Sequence, residues 1–248
     1  MNSNLRLPFL FLFFSITSCA QENEPVKEVY APVPPVVTPG NTFSSPPSDA
    51  MVLFAGKNLE QWKSESGGPA AWAVNDSFFT VKKGTGAIMT SKSFTDYQLH
   101  IEWRIPEGIK GKGQARGNSG VFLGNYEIQI LDSYENDTYV NGQAGSVYKQ
   151  YPPLVNASKK PGEWQSFDIV WTAPRFNADS LVSPGRVTVF HNGILIQNNV
   201  KVWGVTVNKG KPFYRAHGPL PIKLQDHGDP SDPISFRNIW LREIKNEN

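Results

Sequence analysis

From residue 49 onward, Gly, Asn, Asp and Pro cut the chain into short runs that alternate apolar with polar residues. No stretch keeps a 3.6-residue period beyond two turns. Such a chain can bury a core only by turning one face of each strand inward, so the fold expected for residues 49–248 is all-β, a two-sheet sandwich or jelly roll. The clearest run is 99–105: Leu99, Ile101, Trp103 and Ile105 share one face, and His100, Glu102 and Arg104 the other. Further strands are expected at 120–124, 126–131, 165–172, 186–191, 194–197, 222–225 and 234–244. His191-Asn192-Gly193 places Asn-Gly between two of these, a pair suited to the positive φ angles of a hairpin turn. No repeat of fixed period occurs, which argues against a solenoid or propeller.

The N-terminal segment reads differently. Arg6 precedes the apolar run 7–14, which is too short to span a bilayer and has the charged-then-apolar order of a secretory signal. Ile16-Thr17-Ser18-Cys19 resembles a bacterial lipobox, so residues 1–18 are expected to be a lipoprotein signal peptide, with lipidation at Cys19. An ordinary signal peptide cut nearby is the competing reading. The lipobox reading predicts an exported chain, lipid-anchored at the bacterial cell envelope, in the periplasm or at the outer membrane. Residues 19–48 are rich in Pro, as in Ala31-Pro32-Val33-Pro34-Pro35, and are expected to be a semi-rigid tether.

Cys19 is the single cysteine, which excludes an intramolecular disulfide and any cysteine-based metal site or nucleophile in residues 49–248. A net charge of +2 without a basic run gives no case for nucleic acid as a partner. Function must therefore be sought in a pocket.

The stretch 118–132 is the best equipped. Glu127 and Gln129 alternate with Ile128 and Ile130, so a strand there sends two polar groups one way and two isoleucines the other. By the same parity, Lys223, Gln225 and His227 oppose Ile222 and Leu224. The expectation is that these faces, together with His100, Glu102 and Arg104, line one concave surface. Blander readings stand beside it. Glu102 and Arg104 could form a structural ion pair, Asn118 and Asp132 could be turn residues, and Arg237-Asn238 could stitch the last strand to its neighbour. His191 reads as a hairpin residue and His217 as a loop residue. No cofactor and no metal site is predicted, since no His-x-x-x-His, Asp-rich loop or cysteine cluster occurs; ligands converging from distant segments leave a divalent metal open.

An ordered set of motifs then points to a family. Leu53-Phe54-Ala55-Gly56-Lys57-Asn58-Leu59-Glu60-Gln61-Trp62 is followed by Trp72-x-Val74, Leu99-x-x-Glu102-Trp103-Arg104 and Asn118-Ser119-Gly120. Then come Tyr126-Glu127-x-Gln129-x-Leu131-Asp132, Gly145-x-Val147-Tyr148, Leu224-Gln225-Asp226-His227-Gly228 and Phe236-Arg237-Asn238-Ile239. Over some 190 residues this resembles the 3-keto-disaccharide hydrolase family, whose fold is a jelly roll of the concanavalin A-like lectin/glucanase type. The chain departs from the family pattern at Ala55, where Asn is usual, and in a longer segment at 173–185.

The resemblance implies a saccharide substrate whose 3-ketone acidifies the proton on C2. Base removal of that proton gives an enediolate, and the glycosidic oxygen then leaves C1 by elimination, followed or replaced by hydrolysis. Such a site needs a base, an enediolate stabiliser and an acid. Glu127 or His227 is the candidate base, Arg104 or Lys223 the stabiliser and Tyr148 the acid, with Glu102, Asn118, Gln129, Asp132 and Gln225 as further substrate contacts. Two other readings compete. One is a conventional two-carboxylate glycosidase pairing Glu127 with Glu102 or Asp132. The other is a lectin-like surface module that stacks sugars on Trp62, Trp72 or Trp203. Nothing in the sequence fixes the oligomeric state.

Overall fold

The computed structural model describes residues 28–245, and the expected signal peptide and Cys19 lie outside them. The chain divides into two units at Val36/Val37. Residues 28–36 are exposed and carry no regular structure; all that follows concerns the second unit.

Among its described residues that unit has fifteen strands: β1 (Met51–Phe54), β2 (Trp62–Ser64), β3 (Ala73–Asn75), β4 (Phe78–Thr80), β5 (Ile88–Thr90), β6 (Tyr97–Arg104), β7 (Ser119–Leu123), β8 (Tyr126–Ile130), β9 (Trp164–Thr172), β10 (Arg175–Asn177), β11 (Ser180–Ser183), β12 (Arg186–His191), β13 (Ile194–Lys201), β14 (Ile222–Leu224) and β15 (Ser235–Glu243). An eight-stranded antiparallel sheet runs β13-β12-β9-β6-β15-β4-β3, with β1 also paired to β15. A five-stranded sheet runs β2-β5-β14-β7-β8, and β10-β11 is a separate hairpin. The two large sheets form the sandwich expected from the sequence.

Strand parity explains the core. Tyr97, Leu99, Ile101 and Trp103 of β6 point inward, as do Ile128 and Ile130 of β8, Val121 and Leu123 of β7, and Ile222 and Leu224 of β14; all belong to one buried apolar cluster. At one end of the sandwich, Phe79 of the large sheet packs edge-on to Phe54 at 4.7 Å, against Phe236 at 5.6 Å and against Trp62 of the small sheet at 6.2 Å. Asn192 and Gly193 take φ of 52° and 79° in the β12–β13 turn, the geometry that Asn-Gly suits.

Two departures from expectation have plain causes. The folded unit starts at Val37, inside the stretch expected to be tether. There the Ser44 carbonyl accepts hydrogen bonds from Asn238 Nδ2 and Trp240 Nε1, 2.9 Å each, so a proline-rich segment can still pack through its carbonyls. The longer segment at 173–185 carries the β10–β11 hairpin, tied down by Arg175 to buried Asp96 at 2.6 Å.

The free edge of β8 is covered. Ser146 O accepts from Gln129 N, Gly145 N donates to Gln129 O and Tyr148 N donates to Glu127 O, at 3.0, 2.8 and 3.1 Å. Residues 145–148 thus satisfy an edge strand and bring Tyr148 beside Glu127.

Phe79→Ala should cost about 3–5 kcal/mol, because it empties a fully buried site between the two sheets. Denaturant unfolding followed by tryptophan fluorescence measures it; a loss below about 1 kcal/mol would contradict this packing.

Candidate active site

Strand β8 is buried on both sides. Ile128 and Ile130 face the core, while Glu127 and Gln129, 4% and 1% exposed, face outward beneath covering loops. Above them on the small sheet lies a cleft of about 400 Å³, lined by Glu127, Gln129, Asn118, Gln225, His227 and Tyr148. Six of the residues singled out in the sequence therefore converge.

Glu127 is held by several local features. Its N–H donates to Thr206 Oγ1 at 2.9 Å, and across the strand pair it faces Phe122. A Cβ at residue 120 would lie 2.6 Å from Glu127 Oε1, so only glycine leaves room for the carboxyl. Burial pushes the Glu127 carboxyl up to about 8, against the smaller opposing pull of the Lys223 and Lys149 charges. A carboxyl so placed exchanges its proton near neutrality.

Amide hydrogen bonds fix the neighbouring groups. Gln129 Nε2 donates to Asn118 Oδ1 and Asn118 Nδ2 to the Gln114 carbonyl, each at 2.9 Å; Gln114 Nε2 in turn reaches the Gly142 carbonyl at 2.9 Å. Gln129 Oε1 and Gln225 Oε1 remain buried without a protein partner. Buried acceptors in a native fold are normally satisfied, and two unpaired ones beside a cleft suit a ligand rich in hydroxyl donors.

Tyr148 and His227 complete the lining. The Tyr148 hydroxyl lies 2.8 Å from that of Tyr139. Burial, the Tyr139 hydroxyl and the Glu127 charge all push its pKa well above the usual phenol value, so it stays a proton donor. Lys149 Nζ lies 5.3 Å above the Tyr148 ring and is held by the carbonyl and side-chain oxygens of Asn208 at 2.8 and 2.7 Å. His227 is partly exposed, with Nδ1 3.5 Å from Asp229 Oδ2. Asp229 also accepts from Ser231 N and Ser231 Oγ. Burial works to raise the Asp229 pKa, but the hydrogen bonds from His227 and Ser231 outweigh it and hold it low. Lys223 stands next to the cleft, 4.5 Å above the Phe122 ring and 2.9 Å from Glu65.

Four expected members lie elsewhere. Glu102 and Arg104 project from β6 on the outer face of the eight-stranded sheet. There Glu102 accepts from Arg237 Nε at 2.6 Å and Asn238 Nδ2 at 2.8 Å. Burial disfavours its charge, yet hydrogen bonds from His100, Asn238 and Arg237 outweigh that and lower it to about 2. Arg104 lies over the rings of Phe78 and Trp164 at 5.1 and 4.7 Å. His100 points the same way, with Nδ1 2.7 Å from Asp168 Oδ1. Parity was right for β6, but its polar face belongs to the other sheet. Asp132 is fully buried, 2.7 Å from Arg116 Nε, and accepts from Tyr134 N, so it is a turn residue. Trp62 and Trp72 are core; Trp203 is half exposed and donates from Nε1 to the Tyr151 hydroxyl at 2.6 Å.

Phe122, Thr206 and Asn208 line the cleft without having stood out in the sequence. Phe122 falls in an apolar run that hides its outward parity, and the other two lie in a loop with no period. Among the described residues, no group of three or more His, Cys, Asp or Glu side chains is spaced to hold a metal ion.

A jelly-roll sandwich with a polar cleft on its smaller sheet can take a glycan, and the relatives make it a glycan-processing domain of glycosidase type. The profile of the 3-keto-alpha-glucoside-1,2-lyase-like domain matches residues 49–242, and the chain belongs to that family. A candidate glycosyl hydrolase from Parabacteroides distasonis, solved by crystallography, is 53% identical, covering 88% of this chain and 94% of that one with a TM-score of 0.85. A second candidate glycosyl hydrolase from the same organism, at 22% identity and a TM-score of 0.57 over 79% of this chain and 94% of that one, shares the fold. No protein of curated function matches the chain.

The raised Glu127 pKa sets a pH dependence of stability. Below about pH 4.5, the ordinary carboxyl value, the folded and unfolded states both hold this proton and the contribution is fully present; it is lost as pH rises through about 8. Chemical denaturation of wild type and Glu127→Gln across this window should show wild type losing stability that the variant keeps, at up to about 1.4 kcal/mol per pH unit. Parallel curves would contradict the burial assigned to Glu127.

Proposed function

We propose that the domain cleaves 3-keto-glycosides, 3-keto-disaccharides among them, by removing the C2 proton and eliminating the glycosidic oxygen from C1. The observation that carries this reading is a single buried carboxyl, Glu127, lining the cleft with its pKa near 8. A base matched to neutral pH suits abstraction of a proton acidified by a ketone. A two-carboxylate glycosidase would need a second carboxyl across the cleft, whereas Glu102 and Asp132 are committed to Arg237 and Arg116.

In the proposed sequence, ionised Glu127 takes the proton from C2, and the C–H electron pair forms the enolate of the 3-ketone. His227, oriented by Asp229, donates a hydrogen bond to the developing oxyanion. Collapse of the enolate forms the C1=C2 bond and breaks the C1–O bond, and Tyr148 passes its proton to the leaving oxygen. Gln129, Gln225 and Asn118 hold hydroxyls. Water adding later across C1=C2 would make the net reaction a hydrolysis. The family description, which names a 1,2-lyase, supports elimination as the bond-breaking step. The proposal extends to place: Arg6, the apolar run 7–14 and the Ile16-Thr17-Ser18-Cys19 motif support export and lipid anchoring at the cell envelope.

The test is incubation in heavy water with a 3-keto-disaccharide and with its unoxidised parent. Only the keto sugar should be cleaved, with deuterium appearing at C2 of the recovered keto sugar or of the hydrated product, and Glu127→Gln should lower kcat by about 100-fold or more. Equal cleavage of the parent would overturn the reading, and tight binding without turnover would make the domain a glycan-binding module.

A further inference from the structure

Beside the cleft and sharing Phe122 and Thr206 with it is a second pocket of about 310 Å³. Its lining includes Phe213, Val205, Asn125, Arg215 and Lys223 and has no acidic residue. The structure assigns this pocket to the leaving half of the substrate, and we infer that it selects a leaving group with a negatively charged substituent on a ring that has an apolar face. Which half of the substrate it holds rests on the elimination reading above; its preference for an anion does not.

The geometry comes from the sheet and one loop. On the outer face of the small sheet, Phe122 pairs with Glu127 on one side and with Lys223 on the other. Glu127 and Lys223 are thus two strand spacings apart, about 9.5 Å at the backbone, a separation that a disaccharide or an aryl glycoside spans. The loop from Trp203 to His217 builds the far wall. Tyr214 turns inward, its hydroxyl donating to the Val202 carbonyl at 2.7 Å and accepting from Gly185 N at 3.0 Å. Phe176 of β10 packs edge-on to its ring at 6.2 Å. With Tyr214 held inward, its neighbours Phe213 and Arg215 face the pocket. The loop's two arms meet where Val205 N donates to Phe213 O at 2.9 Å. Gly204, at φ +148°, permits this approach, since a Cβ there would lie 2.4 Å from that oxygen.

Charge and surface define the ligand. Arg215, exposed at the pocket, carries a permanent cation and makes no hydrogen bond or ion pair among the described residues. Lys223 is shared with the exposed carboxylate of Glu65, so Arg215 is the less committed of the two. Phe213 is half exposed, and with Phe122 and Val205 it offers apolar surface for a ring. An uncommitted guanidinium beside a ring platform suits a carboxylate, which it can bind through two parallel hydrogen bonds. A uronic acid and a phenolic acid both carry that chemistry.

The experiment compares matched leaving groups. The 3-keto-glucoside of 4-hydroxybenzoate should be cleaved with kcat/KM about tenfold above that of the 4-hydroxybenzamide analogue, a ratio that falls toward one in Arg215→Gln, is kept only in part in Arg215→Lys, which retains the charge but not the paired hydrogen bonds, and shrinks between 0.05 and 0.5 M salt. A 3-keto-disaccharide ending in glucuronate, set against one ending in glucose, tells whether the anion comes from a sugar acid or a phenolic acid. Titration calorimetry of the wild-type domain with 4-hydroxybenzoate and with glucuronate reads the pocket without turnover. Binding of either anion that is lost in Arg215→Gln supports the inference even if no keto sugar is cleaved, an outcome that would sink the elimination reading instead. Ratios near one for both substrate pairs with the neutral substrates turned over, or no binding of either acid, would overturn the anion-selective pocket.

Discussion

The burial of strand β8 on both of its faces is the constraint from which the rest of the site follows. A strand at the edge of a sandwich normally shows one face to the core and the other to water. Here Ile128 and Ile130 pack inward while residues 145–148 and the Thr206 region cover Glu127 and Gln129. The covering loops do two jobs at once. They satisfy the hydrogen bonds of the β8 edge, and they remove water from a carboxyl whose ionised form needs it. That desolvation is the largest influence on Glu127 and outweighs two lysines.

A second consequence is order among neutral groups. On the buried floor of the cleft, side-chain amides are aimed by other protein groups, and the series Gln129, Asn118, Gln114 does so through bonds of 2.9 Å. The orphan acceptors of Gln129 and Gln225 are what that ordering leaves over. Partly satisfied polar networks are costly in a folded core; at a cleft floor the same arrangement is a preorganised surface for hydroxyls. The opposite sheet face shows the contrast. Glu102 there has Arg237 and Asn238 in direct contact, and its charge is stabilised and committed.

Much of this was legible in the sequence, for a reason that also sets the limit. A period of two fixes which side chains share a face of their own strand, so the inward and outward sets of β6, β8 and β14 followed from the residues. Parity says nothing about which sheet a strand joins. The polar faces of β6 and β8 looked alike and belong to opposite sides of the sandwich, which removed Glu102 and Arg104 from the site. Short strands with little alternation, such as β2, β3 and β10, left no periodic signal. Asn118 was readable as a turn residue, and only its contact with Gln129 across the cleft floor shows its second use. Phe122, Thr206 and Asn208 reach the cleft through tertiary placement, and no spacing rule encodes that.

The central claim is that burial keeps Glu127 protonated up to a pH where it can act as a base on a keto sugar. Carbon-13 NMR of the glutamate-labelled domain, with Glu127→Gln used to assign the resonance, measures this directly. The account predicts a carboxyl that titrates with a midpoint near pH 8 and is still protonated at pH 6. A Glu127 resonance already that of a carboxylate at pH 6 would contradict it.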